Sequence, residues 1–202
     1  MTFDLIIIFL VTIVLLLAIY TAIQFRGKFP TRTMDDVTPF LRPAEAGEIE
    51  SLLDPAQEAN FRLRMQDAEF TAWQRKRIHL MREYLLRMSH NALVLIEWGN
   101  NEALKAEEMG RERCSETQML AQELVAAATE FRLYSMVALA KLQLWLILPS
   151  VFSLLFSSPS LPSLRKLFGI EALGSYQRLK SAASGLSLAY NNHYHNELVE
   201  RL

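Results

Sequence analysis

Cysteine is nearly absent from this chain. Its 202 residues include one, Cys114, which excludes an intrachain disulfide framework and a cysteine-rich zinc site. Glycine and proline are also scarce, at seven each. A charge excess is missing too: 21 basic and 22 acidic residues leave a formal net charge of −1. No global basic field therefore points to nucleic acid. The glycines are isolated, with no Gly-Lys-Ser/Thr phosphate loop, and there is no His-Glu-x-x-His zinc motif. No His follows a Glu by three residues, so the helical Glu-x-x-His pairing of di-iron bundles is missing. The chain is accordingly read as a non-enzyme, with no catalytic, cofactor-binding or metal site and no cofactor.

Charge is missing most conspicuously from Leu5 to Ile23, where only Thr12, Tyr20 and Thr21 interrupt an apolar run. As a helix this run spans roughly 28 Å, close to the thickness of a hydrocarbon core. Inside lipid every backbone amide needs an internal partner, so the run is expected to be a transmembrane helix. A cleaved signal peptide fits poorly, because Met1 to Asp4 has no basic side chain and the apolar run is too long. Arg26, Lys28 and Arg32 follow the span. The positive-inside bias then places the N-terminus outside an inner or plasma membrane and the remaining chain in the cytoplasm.

Prolines 30, 39 and 43 punctuate the next stretch. Proline fixes φ and disfavours helix at the preceding residue, so residues 27–42 read as a juxtamembrane connector. A short helix from Pro43 to about Leu53 is expected next. Asp54-Pro55-Ala56-Gln57 then has the form of a helix start. From Ala56 to Leu148 there is no proline, and Gly99 and Gly110 are the sole glycines. Strong helix formers dominate this stretch, which predicts a long helix folded once on itself. Trp98-Gly99-Asn100-Asn101 offers a left-handed cap followed by an Asn cap. Gly110, followed by Ser115-Glu116-Thr117-Gln118, offers an alternative. Charge favours the first, since a turn at Gly99–Asn101 sets Arg77 against Glu123 and Arg87 near Glu112 and Glu116; a helix continuous through it is the other reading. Ile78, Met81, Leu85, Met88, Ala92 and Leu95 share one helix face. Leu120, Leu124, Ala127, Phe131, Tyr134, Ala138, Leu142 and Trp145 share another. Faces of this kind need a partner helix.

Leu142 to Phe156 forms a second apolar segment, interrupted by Gln143, Pro149, Ser150 and Ser153. Its length suits a buried helix, an interfacial segment or, less well, a second span. Ser157 to Ser163 is a linker by composition. A helix beyond it should be interrupted at Gly174, and Ser175 to about Tyr190 should be helical. Asn191 to Leu202 is expected to be polar and exposed.

The expected organisation is thus all-α. A transmembrane anchor (1–25) is followed by a connector with a short helix (26–53), a long antiparallel helical hairpin (54–157), then a linker and short C-terminal helices (158–202). His193, Tyr194, His195, Asn196 and Glu197 form the densest group of metal-capable side chains, yet His at i and i+2 diverge on a helix, and a solvated tail is the simpler reading. His79 and Glu83 share a face without a third ligand. Cys114 has cationic neighbours in Arg111 and Arg113, offset by Glu112 and Glu116, and no His partner. Arg75, Lys76, Arg77, Arg82 and Arg87 could touch anionic lipid. The functional expectation is a membrane-anchored scaffold or accessory subunit of a membrane complex, with lipid and a protein partner or second copy as its contacts and no nucleic acid. The alternatives are a two-span component of transport or envelope machinery and a membrane-bound metalloenzyme.

Overall fold

Helix formation begins where proline and its capping neighbour allow it. A computed structural model describes residues 32–44, 46–109, 112–147, 170–190 and 192–202, all within one unit, Thr31–Leu202. The run Leu5 to Ile23 and residues 148–156 of the second apolar segment lie outside the described residues. Among those described, all regular structure is helical, and no helix is long and apolar enough to cross a membrane.

The connector makes two short 3-10 turns, Met34–Asp36 and Thr38–Phe40. Helix α1 is Ala46–Leu52, starting beyond Pro43 rather than at it. The Asp54 carboxylate accepts from the Ala56 amide at 2.9 Å and Pro55 occupies the first turn. This opens α2, Pro55–Arg64, as the sequence predicts. That helix stops at Met65, whose backbone is extended (φ −105°, ψ 152°). No proline or glycine marks the break. Aromatic packing spans it, with the Phe61 and Trp73 rings 4.7 Å apart and Phe70 and Trp73 5.6 Å apart.

Helix α3 then runs from Asp67 to Met109 and α4 from Glu112 to Ile147. They pack along one another as a long hairpin. At 1.5 Å per residue the arms are about 65 and 54 Å long. The chain therefore does not turn at Gly99–Asn101: α3 is continuous there, Gly99 is an interior helical residue, and residues 110 and 111, at the alternative position, lie outside the described residues. The reason is steric. A Cβ built on Gly99 would lie 2.8 Å from Val125 Cγ2 and 3.1 Å from the Ala121 carbonyl oxygen. The glycine is a notch that lets the two backbones close on each other. The expected pairing of basic and acidic stretches disappears with the turn. Arg77 meets Glu58 at 3.4 Å, and Arg87 reaches its own helix at Glu83, 4.0 Å away.

The α3 face is as predicted: Ile78, Met81, Leu85, Met88, Ala92 and Leu95 are all fully buried. On α4 the buried seam is Ala121, Leu124, Ala128, Phe131, Ser135, Ala138, Leu142 and Trp145. It departs from expectation at alternate positions, and Leu120, Ala127 and Tyr134 are half-buried at its flank. Two neighbours share α4, which widens the covered arc: α3 on one side and α5, Ile170–Leu188, on the other. Helix α5 passes through Gly174 without interruption, since one glycine costs a helix interior only about 1 kcal/mol. Nothing lies within 4 Å of a Cβ built there.

The terminal stretch is not an exposed tail. Asn192–Arg201 forms α6, which packs against α5 and the 38–40 turn. Leu198 and Leu202, at i and i+4, are buried, and this apolar pair supplies the docking energy that the polar composition concealed.

These two glycine environments predict opposite responses to one added methyl. Gly174→Ala should raise the thermal midpoint, since alanine gains about 0.5–1 kcal/mol over glycine in a helix and meets open space. Gly99→Ala has the same gain, but overpacking against Val125 and the Ala121 backbone costs about 1–3 kcal/mol. Its midpoint should fall. Equal rises for both variants in thermal or urea unfolding would contradict the notch.

Candidate functional site

Where the connector meets α3, polar groups gather on one helix face. Asn91 is fully buried. Its Oδ1 accepts from the Arg42 amide at 2.8 Å, and its Nδ2 donates to the Arg42 carbonyl, also at 2.8 Å. One side-chain amide thus pairs with both backbone groups of a single residue, as a neighbouring strand would. Against the larger effect of burial, Asn91 also acts on the Tyr176 hydroxyl of α5, lowering its pKa. The Tyr176 hydroxyl donates in turn to the Leu202 carbonyl at 2.6 Å. Burial pushes the Tyr176 phenol well above its ordinary pKa, so it remains a protonated donor. Buried hydrogen bonds therefore join the connector to α3 through Asn91, and α5 to the last residue through Tyr176.

Toward the C-terminal end of α3 the strap continues. Arg32 Nε donates to Glu97, and Asn101 donates to the Arg32 carbonyl at 2.6 Å. The Arg32 guanidinium lies 4.2 Å from the centre of the Phe40 ring. The His90 ring nitrogen Nε2 lies 3.2 Å from the Phe40 carbonyl oxygen. Apolar residues of the same segment, Val37, Leu41, Ala44 and Ile49, are buried in the main core. From Arg32 onward, the stretch that reads as a juxtamembrane connector is thus a structural strap. Farther along α3, Glu102 is buried and receives hydrogen bonds from Tyr190 and from Lys105, the latter at 2.9 Å.

At the other end Arg77 closes a second junction. It donates to the Leu52 carbonyl at the end of α1, pairs with Glu58 and covers the Trp73 ring at 4.4 Å. Burial lowers its pKa, and Glu58 partly restores it. In the sequence this arginine belongs to a basic stretch expected to pair with Glu123. Of that stretch, Arg75, Lys76, Arg82 and Arg87 are exposed and only Arg77 turns inward.

The other chemistry candidates are dispersed. His195 is half-buried, with Nδ1 3.0 Å from Ser187 Oγ and 3.4 Å from Ser184 Oγ. The side chains of His193, Tyr194 and Cys114 lie outside the described residues. Among those described, no three His, Cys, Asp or Glu side chains come together to hold a metal ion. His79 and Glu83 are exposed on α3. Leu142 and Trp145, the described start of the second apolar segment, are buried in the helical core.

The most distinctive surface is on α4, away from α3 and α5. Met119, Leu133 and Val137 are 62%, 50% and 54% exposed. Ala126 and Ala140 are exposed on the same side, and Gln122 is the polar residue among them near the Met119 end. No family model matches the chain, and no curated protein or solved structure resembles it significantly.

The strap predicts a pH response. Burial, and next the positive charge of Arg42, lower the His90 pKa from its ordinary 6.5, with Arg32 acting in the same direction and Glu97 against it. A depressed folded-state value means that the unfolded chain binds the proton more readily. The contribution of neutral His90 is then complete above about pH 6.5 and is lost as pH falls through the lower folded value. Thermal midpoints measured from pH 7.5 to pH 5 should fall more steeply for the native chain than for His90→Gln. Parallel slopes would contradict the assignment.

Proposed function

We propose that this chain is a membrane-anchored helical interaction protein, a scaffold or accessory subunit of a membrane complex, without catalysis of its own. Leu5 to Ile23 supplies the anchor, and Arg26, Lys28 and Arg32 beyond it favour a cytoplasmic bundle with the N-terminus outside. The observation that carries the reading is the strap. Arg32, the last residue of that basic flank, and Arg42 beyond it are fastened to α3 by Glu97, Asn101 and Asn91. A segment fastened in this way belongs to the bundle and is not a loose tether. The exposed, mainly apolar stripe of α4 gives the bundle a face for a protein partner, since clustered exposed apolar surface marks association sites.

The burial of Leu142 and Trp145 supports a single membrane contact over two, because it assigns the first part of that segment to the bundle core. The packing of α6 and the hydroxyl partners of His195 favour a structural role for the terminal residues over a metal centre.

Washing native membranes with alkaline carbonate should leave the full chain in the pellet. Leu15→Arg combined with Leu16→Arg should release it, because each arginine at a span centre costs about 2.5–3.5 kcal/mol on an insertion scale. Release of the native chain by carbonate would overturn the anchor and the reading built on it.

A further inference from the structure

The exposed stripe on α4 has a geometry of its own. At 100° per residue, Met119, Gln122, Ala126, Leu133, Val137 and Ala140 fall on one face, opposite the seam that α3 and α5 cover. Five of these six are apolar, and Gln122 sits toward the N-terminal end. Glu123, Glu130 and Lys141 lie together along one flank of that face. Glu130 is already engaged, with Arg178 Nη2 2.7 Å from its Oε1. Glu123 and Lys141 make no ion pair among the described residues. On the opposite flank Thr129 and Met136 carry no charge.

We propose that this stripe is the contact surface for a second copy of the chain, with the two α4 helices antiparallel and Glu123 of each beside Lys141 of the other. The inference rests on the interaction-protein reading and names its partner. Antiparallel helices bring each flank against the same flank of the neighbour, whereas parallel helices bring it against the opposite one. Only the antiparallel pairing therefore lets Glu123 find Lys141. The midpoint between those two residues falls beside Leu133, near the centre of the stripe, so the pairing that matches charge also overlaps the apolar surfaces. Leu133 then meets its own copy near the two-fold axis, as an isologous contact requires. Away from the axis, Ala126 faces the Val137–Ala140 stretch, where short side chains let the helices approach closely. Gln122 lies beyond that contact, toward the rim, where an uncharged amide can keep its water. A membrane surface is a poorer occupant. Helices that lie in the interface carry Lys and Arg beside the apolar face, and here Glu123 and Glu130 would face anionic headgroups.

Cysteine trapping of the full chain in native membranes, in a Cys114→Ser background, tests the arrangement. Leu133→Cys should give a disulfide-linked dimer on mild oxidation, and Met119→Cys alone should not. Glu123→Cys in one copy and Lys141→Cys in another should link. Glu123→Lys should reduce the Leu133→Cys dimer about tenfold, and adding Lys141→Glu should restore it. Linkage at Met119 equal to that at Leu133, or monomers at every position, would overturn the proposal. Carbonate retention of the same samples keeps the two claims apart. Retained, unlinked chains overturn the dimer and leave the anchor standing. Linked chains that wash out of the membrane support the dimer and overturn the anchor.

Discussion

The side-chain amide of Asn91 is the constraint on which the bundle's organisation depends. It is fully buried, where an unpaired amide would cost about 1–3 kcal/mol for each group left without a partner. The cost is avoided when Arg42 presents its backbone N–H and C=O to the amide. Apolar packing alone would allow the connector to slide along α3, since hydrophobic contact is not directional. The amide admits one register. On α5 the Tyr176 hydroxyl holds the Leu202 carbonyl in the same way, so the last residue is located by a buried hydrogen bond as the connector is.

With the register set, the surface of the hairpin follows. α3 divides its circumference between a core seam, the strap bound near His90 to Asn101, and an exposed basic stretch. α4 is more apolar. Its seam serves α3 and α5, and its remaining side exposes Met119, Leu133 and Val137. A helix that is apolar around most of its circumference is usually buried on most sides. The exposed side of α4 is therefore the apolar surface of this helix that neither α3 nor α5 covers.

Much of this architecture is visible in the residues themselves. Asp54-Pro55 opens a helix as written, and the three- and four-residue spacing from Ile78 to Leu95 marks the seam correctly. Gly99 misleads because glycine serves two purposes, a left-handed cap or a close helix crossing, and only the identity of the facing helix distinguishes them. With α3 continuous through Gly99, the expected Arg77–Glu123 pairing is lost. The break at Met65 has no local signal; it is tertiary, fixed by Phe61 and Phe70 closing on Trp73. Asn91 offered a weak signal, a polar residue between Met88 and Ala92 on an otherwise apolar face. Its partners are backbone groups of Arg42, which no pattern of side chains reveals. In the terminal stretch Leu198 and Leu202 stand at helical spacing, a signal masked by Asn191 to Glu197.

Native-state hydrogen exchange at the Arg42 amide tests the strap most directly. A loop residue after two 3-10 turns would ordinarily exchange fast, whereas an amide held by a buried side chain opens only with the structure around it. Arg42 should exchange as slowly as the amides of Leu85 to Leu95, and Asn91→Ala should accelerate it at least a hundredfold, equivalent to about 2.7 kcal/mol. Fast exchange at Arg42 in the native chain, or protection unchanged by Asn91→Ala, would contradict the account.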